Sequence, residues 1–386
     1  MVGSVISELV ARHEKLRSEG LNLIPSENWL SPAVRQALAT DLAGRYHSTW
    51  YGGTEHILRI IEETEKAARR VFRSRYALVT PLSGLTCDLT VLHAFTKPGD
   101  RVAIPPFTHG GFPFGISKFH RERVFLPVDG ATYVPDAEKA RSVLSGERPA
   151  LAFLGSSFIF FPHPVRAVAD HVRAENLPTK VVYDGAHVLG LIATGEFQDP
   201  LREGADVLLG STHKSLYGPQ GGLILTNSKE LDERMRSFLD VDVESGIGLV
   251  DNPHVNRIAA LGIALEELER DRGFGTQVIK NAKALARALE EEGVPVRFAD
   301  RGYTESHQVL LDVKEGRAAE LCRRMEKAGI FCDAGGRLGT GEVTHRGMRE
   351  DDMAQVGALF AEVYKRGARD ATRKAVQKLA RNFARG

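Results

Sequence analysis

The chain has 386 residues, with 51 Lys and Arg against 50 Asp and Glu, 42% hydrophobic residues and 26% charged residues. That is ordinary globular composition and excludes disorder as the dominant state. A formal net charge of +1 lacks the basic bias of a nucleic-acid protein, and three cysteines (Cys87, Cys322 and Cys332) provide neither a disulfide framework nor metal-ligand spacing.

In chain order, Val5, Ile6, Leu9, Val10 and Leu16 recur at helical spacing and predict a helix over 4–18 that stops at Gly20. Ser31-Pro32 reads as an N-cap with proline at the first helical position. That helix is expected through Val34, Leu38 and Leu42 to Gly44, and another over Thr54–Phe72. Short apolar runs then alternate with helical segments: Tyr76–Thr80, Val102–Pro105, Leu151–Gly155, Lys180–Asp184, Val207–Gly210 and Gly222–Leu225. Runs without alternation mark strands buried on both faces, so a largely parallel sheet is expected, with the active site at the strands' carboxyl ends. From His254 the chain turns helical, over Ile258–Leu268 and Val278–Leu289. A smaller α/β unit follows, with strands at Pro295–Phe298 and Gln308–Val313 and helices at Gly316–Lys327 and Glu350–Lys365. The tail from Lys365 holds eight Lys or Arg (365, 366, 369, 373, 374, 378, 381, 385) against Asp370, which reads as a solvated helix.

Met1–Glu14 has no basic start followed by an apolar block, so no signal peptide is expected. The longest apolar stretch, Ala150–Pro162, is broken by Gly155, Ser156 and Ser157 and is too short to span a bilayer. A soluble cytoplasmic protein with reduced thiols and no membrane or nucleic-acid partner is expected.

Three strand ends carry the chemistry. Lys180–Asp184 leads into Asp184-Gly-Ala-His187, Val207–Gly210 into Ser211-Thr-His213-Lys214, and Tyr76–Thr80 into Ser83-Gly84-Leu85-Thr86, which opens a helix. Pyridoxal phosphate asks for this set. A lysine forms a Schiff base with the aldehyde, a carboxylate keeps the pyridine nitrogen protonated, and helix N-terminal amides hold the phosphate. Lys214 or Asp184 alone would be a surface lysine or a helix cap; together at strand ends they are specific.

The stretches LNLIPSENWLSPAV (21–34), YGGTEH (51–56), KPGD (97–100), THGGF (108–112), YDGAHVLGLIATG (183–195), STHKSLYGPQGG (211–222) and GRLGTGEVTHRG (336–347) run in one order over nearly the whole chain. In them the chain resembles the serine hydroxymethyltransferases. The resemblance implies the aspartate-aminotransferase-like fold (fold type I) of pyridoxal phosphate enzymes, an α/β architecture. A large domain (26–253) with a mixed, mostly parallel seven-stranded sheet would follow an N-terminal helical arm (1–25). A linking helix and a small C-terminal α/β domain (254–386) would complete the chain. Residue by residue it implies Lys214 as the Schiff-base lysine, Asp184 on the ring nitrogen, and His187 and Ser157 near the ring's phenolic oxygen. Ser83 and Gly84 would hold phosphate, with Ser211 in the cofactor set. His213 would lie beside the lysine, and Arg337 and Ser26 would hold the substrate carboxylate, Arg337 as a bidentate fork. Tyr51 would reach a neighbouring subunit's site, which implies a homodimer with shared active sites.

The chain departs from the family at four places. The link Arg45–Tyr51 lacks the family's acid-base glutamate; Phe112 stands for a ring-stacking histidine; Leu85 stands for a phosphate-binding serine, leaving backbone amides and Thr86; Gln220 stands for an arginine. Tyr46-His47, Gly218-Pro-Gln220 and Ser306-His-Gln308 also resemble the threonine transaldolases. Two second substrates therefore stay open, a folate-type one-carbon carrier or a free aldehyde, with serine hydroxymethyl transfer and β-hydroxy-amino-acid aldolase or transaldolase chemistry as the alternatives. Tyr46 joins the substrate-side set, and His47 and His109 are candidates for the missing base. Other classes fit less well. An aminotransferase would not be expected to combine Thr-His-Lys with Tyr-Gly-Gly. A nicotinamide site needs a third glycine that Ser245-Gly-Ile-Gly-Leu-Val250 lacks. A non-catalytic interaction protein would bind no cofactor.

Overall fold

The computed structural model describes residues 4–239 and 246–383. Ser245 of the glycine-rich run and Arg385 of the basic tail lie outside them. The chain divides into two units, Leu30–Gly275 and Met1–Trp29 with Thr276–Gly386.

Leu30–Gly275 is built on a seven-stranded sheet. Its strands are β1 (Tyr76–Leu78), β2 (Arg101–Ile104), β3 (Glu122–Phe125), β4 (Leu151–Leu154), β5 (Lys180–Asp184), β6 (Val207–Ser211) and β7 (Gly222–Thr226). The order is β1-β7-β6-β5-β4-β2-β3; β7 runs antiparallel to β1 and β6, and the other pairings are parallel. The mixed, mostly parallel sheet expected from the motifs is present. β4, β6 and β7 are buried at every position, as unbroken Val/Leu/Ile runs require when both faces are covered. Each fully buried Leu or Val there contributes roughly 1.5–3 kcal/mol by leaving water. β3 was not foreseen. Its residues are partly or fully exposed, because an edge strand carries charges such as Glu122 and Arg123 rather than an apolar run.

Helix α1 (Pro32–Leu38) starts at Ser31, whose Oγ accepts from the Val34 N–H at 3.3 Å. The helix expected to continue to Gly44 ends at Leu38, and a single 3-10 turn covers Asp41–Gly44. Helix α2 (Glu55–Phe72) packs on α1's neighbour α4 (Val255–Arg270), while α3 (Gly84–Phe95) covers β6 and β7. Val34 and Ala37 meet Ala260 and Ala264 in one apolar cluster. α4 packs on α1 and α2, and it falls in the unit that contains the sheet.

In the other unit, Leu21–Asn22 pairs in parallel with Ile330–Phe331, and Gln308–Leu310 pairs antiparallel with Arg337–Gly339. Its core gathers Leu21, Leu23, Leu285, Val309, Met325, Ile330, Leu338 and Phe360. The strand expected at Pro295–Phe298 is a single bridge from Val296 to Leu311. Phe298 turns to a left-handed φ of 67° and ends it. The helices expected at 4–18, 316–327 and 350–365 are Val5–Ser18, Glu315–Lys327 and Glu350–Arg366, and Asp370–Asn382 carries much of the basic tail. Among the described residues no helix is long and apolar enough to cross a membrane.

Candidate active site

The site grows from the ends of β1, β5 and β6. At the end of β1, Ser83 caps α3: its Oγ accepts from the Thr86 N–H at 3.1 Å and lies 3.0 Å from the Thr86 hydroxyl. Glycine at residue 84 lets the helix start close against β6. A Cβ on Gly84 would lie 2.4 Å from Ser211 Oγ and 3.1 Å from Ser211 N, at the last position of β6. Backbone amides at a helix start, with a hydroxyl on each side, suit a phosphate dianion. Leu85 is 43% exposed at this turn, and its side chain carries no polar group.

At the end of β5, Asp184 Oδ1 accepts from the Ala186 N–H at 3.0 Å. Burial raises its carboxyl above the usual range, while the Lys214 charge and the Ala186 N–H pull it back. Beneath it, Gly155 follows β4 with φ of +86°, and a Cβ there would fall 2.0 Å from the Asp184 carbonyl oxygen; only glycine lets the two turns meet. His163 holds that turn, its Nδ1 accepting from the Gly155 N–H at 2.9 Å. Burial lowers His163 to about 3, so it stays neutral. It was not singled out from the sequence, although a histidine between two prolines after a strand was the available signal.

Lys214 sits in a tight loop after β6. The Gly218 N–H donates to Thr212 O at 2.8 Å, the Tyr217 N–H to Lys214 O at 3.1 Å, and Ser215 Oγ accepts from the Gly190 N–H at 3.1 Å. Tyr217 holds a left-handed φ of 49°, a strain of order 1 kcal/mol held in place by its buried ring against Phe274 (centroids 4.9 Å apart). His213 is lowered to about 4, by burial first and then by the Lys214 charge. It is therefore a neutral imidazole, and its buried Nδ1 has no hydrogen-bond partner among the described residues. His187 is buried two residues past Gly185. The Ser157 N–H donates to Gly110 O at 2.7 Å, which ties the β4 turn to the Thr108–Phe112 turn. There Phe112, 37% exposed, stacks toward Phe114 at 6.5 Å.

The structure thus brings Ser83, Gly84, Ser211, Asp184, His213 and Lys214 to neighbouring strand ends. His109 lies on the adjoining turn, 3.0 Å from the Thr108 hydroxyl and 5.2 Å from the Tyr133 ring centroid. His47 lines a cavity of about 680 Å³ with Tyr46, Trp50, Tyr51, Glu65, Thr80 and Arg236; Lys214 is not in its described lining. The Tyr46 and Tyr51 rings stack there, 4.6 Å apart. Apart from these, in the unit that contains residues 276–386, Asp333 grips one edge of the Arg337 fork, with Oδ2 2.8 Å from both Nε and Nη2, and Ser26 is half-buried in the turn after Leu21–Asn22. Among the described residues no group of His, Cys, Asp or Glu could hold a metal ion.

This donor set fits pyridoxal phosphate: a lysine whose charge reaches a carboxylate raised by burial, and a helix start that a Cβ would fill. The comparisons agree. Residues 2–360 match the family model of serine hydroxymethyltransferase. Serine hydroxymethyltransferases of Methanopyrus kandleri (38% identical, 99% of this chain and 94% of that one) and Picrophilus torridus (36%, 92% and 87%) are similar to it. So is the crystal structure of L-threonine transaldolase from Pseudomonas fluorescens, at a TM-score of 0.90 and 25% identity over 98% of this chain and 91% of that one.

Proposed function

The chain belongs to the serine hydroxymethyltransferase family, a pyridoxal-phosphate-dependent enzyme of the hydroxymethyltransferase and aldolase type, and we propose that it interconverts serine and glycine by reversible Cα–Cβ cleavage. The observation that carries this reading is the charge interaction of Asp184 with Lys214 at the ends of β5 and β6, together with the capped start of α3. Bound there, the cofactor supplies an aldehyde for an amine and a ring that accepts the electron pair left when the Cα–Cβ bond breaks.

The chain's own residues do the rest. Lys214 would offer the amine for the aldehyde carbon. Asp184 would keep the proton on the ring nitrogen. Ser83, Gly84, Thr86 and the Leu85 amide hold the phosphate, with Ser211 against the helix start. His187 and Ser157 would lie toward the ring oxygen, and Phe112 would offer its face to the ring. Arg337 is proposed for the substrate carboxylate, with Ser26 beside it, and Asp333 sets the plane of the fork. A general base takes the β-hydroxyl proton as the bond breaks. His213 is neutral in this fold, and His47 and His109 are the other candidates.

A homodimer with shared sites is part of the proposal. Tyr46 and Tyr51 would serve the neighbouring site, and the exposed stripe Val5, Ile6, Leu9 and Val10 offers apolar surface for association. Three unpaired thiols suit a cytoplasmic setting. The second reading, aldolase or transaldolase chemistry with a free aldehyde, is favoured by the Arg45–Tyr51 link. That link carries no acid, and its His47 lines the cavity.

One panel on purified protein tests both. It offers serine with and without tetrahydrofolate, then threonine and allo-threonine, then threonine with an added aldehyde. Glycine formed from serine only with the carrier supports the transferase. Acetaldehyde from threonine without carrier moves the assignment to the aldolase branch, and steady glutamate-dependent amino transfer overturns both.

A further inference from the structure

Asp88 is the one acid in α3, the helix that opens at the phosphate turn. It lies four residues after Gly84 and therefore on the same helix face. That face looks onto the ends of β6 and β7. Gly84 abuts Ser211, and the Cys87 thiol lies 4.0 Å from Gly210 O and 3.6 Å from Leu223 O. Asp88 is 2% exposed, and its Oδ1 is buried with no hydrogen-bond partner among the described residues.

The charges that reach Asp88 come from Asp184 at the end of β5 and Lys214 in the loop after β6. On its own helix, Cys87 is a buried thiol that feels both carboxyl groups. From α4, Arg257 reaches Cys87, while its guanidinium donates to Val79 O and Thr80 O. Two carboxyl groups thus interact around a single ammonium, Asp88 enclosed and Asp184 half-buried. Both cannot stay ionised without setting like charges together in a medium of low dielectric. The proton goes to the group whose charged form has fewer hydrogen bonds and less water. Asp184 has the Ala186 N–H and an open side; Asp88 has neither.

We propose that Asp88 carries a proton in the folded enzyme at neutral pH and so leaves Asp184 as the single anion of the pair, held for the cofactor's ring nitrogen. This rests on the reading of Asp184 given above. Asp88 acts through Asp184 and is a positioning residue. Burial first, and the Asp184 charge second, push the Asp88 carboxyl well above the usual carboxylate range, with Lys214 opposing. The folded chain then holds a proton that the unfolded chain releases above about pH 4. Stability from this group falls as pH rises from there toward its folded pKa.

The test compares the full-length enzyme, cofactor bound, with Asp88→Asn and Asp184→Asn. Infrared difference spectra at neutral pH are expected to show a protonated-carboxyl stretch that Asp88→Asn removes. In thermal melting, Asp88→Asn is expected to lose less stability than the wild type from neutral to alkaline pH, by a shift of about 2–4 °C. A stretch lost only in Asp184→Asn, or melting profiles that run parallel, overturns the proposal. Failure of the Asp184 reading has its own signature, which is Asp184→Asn binding pyridoxal phosphate as tightly as the wild type.

Discussion

Replacing Gly84 with alanine tests the geometry of the phosphate turn. The new Cβ would stand 2.4 Å from Ser211 Oγ and 3.1 Å from Ser211 N, where ordinary contact begins at 3.4 Å. The Oγ can rotate away, but the amide is part of β6 and is fixed by its register with Gly222 in β7. The start of α3 must therefore retreat by a few tenths of an ångström at least. Overpacking of this kind costs about 1–3 kcal/mol, which lowers the melting temperature by roughly 1–2 °C per kcal/mol in a chain of this size. The displaced amides are those proposed for the phosphate, so affinity for pyridoxal phosphate is expected to fall by about 10–100-fold, one decade per 1.4 kcal/mol. Affinity for pyridoxal, which lacks the phosphate, is expected to change much less. Both are measured by titrating cofactor-stripped protein and following absorbance. Ser211→Ala in the same chain removes the closest contact and should recover part of the loss, as a double-mutant cycle reports. Unchanged affinity in Gly84→Ala, or an equal loss for both cofactor forms, would refute the reasoning.

Lys214→Ala is expected to abolish the borohydride-fixed label on the protein, read by mass spectrometry, and to reduce turnover by at least about 10³-fold. Arg337→Lys should raise KM for the amino acid by about tenfold or more, since lysine cannot form the planar fork; Asp333→Asn, which loosens the fork, should raise it less. His213 has its folded pKa lowered from 6.5 to about 4. In that window the unfolded chain binds a proton that the folded chain refuses, so stability from this group is present above pH 6.5 and is lost as pH falls toward 4. Melting of His213→Gln should therefore fall less steeply over that window than the wild type, with His163 adding the same trend to both.

The strand runs were readable because burial on both faces leaves no room for polar residues, as in Val207–Ser211 and Gly222–Thr226. Glu122–Phe125 was not, because an edge strand pairs through its backbone while its side chains face water. Lys214 and Asp184 were readable as residues that end such runs. Asp88 stood in plain view as the one acid among Leu85, Leu89, Val91 and Leu92. Its meaning depends on which strand end the helix face meets, and spacing along one chain does not carry that.

Sequence alone therefore determined the kind of chemistry, because cofactor chemistry demands particular functional groups at strand ends and helix starts, and those are local features of the chain. Only the tertiary structure decided the states of those groups. Whether His213 is neutral, whether Gly84 is irreplaceable, and which of Asp88 and Asp184 keeps its proton all follow from burial and from charges brought together across Asp88, Asp184 and Lys214, residues more than a hundred positions apart at the extremes. Desolvation and Coulomb interaction act through space, and no window of sequence contains them.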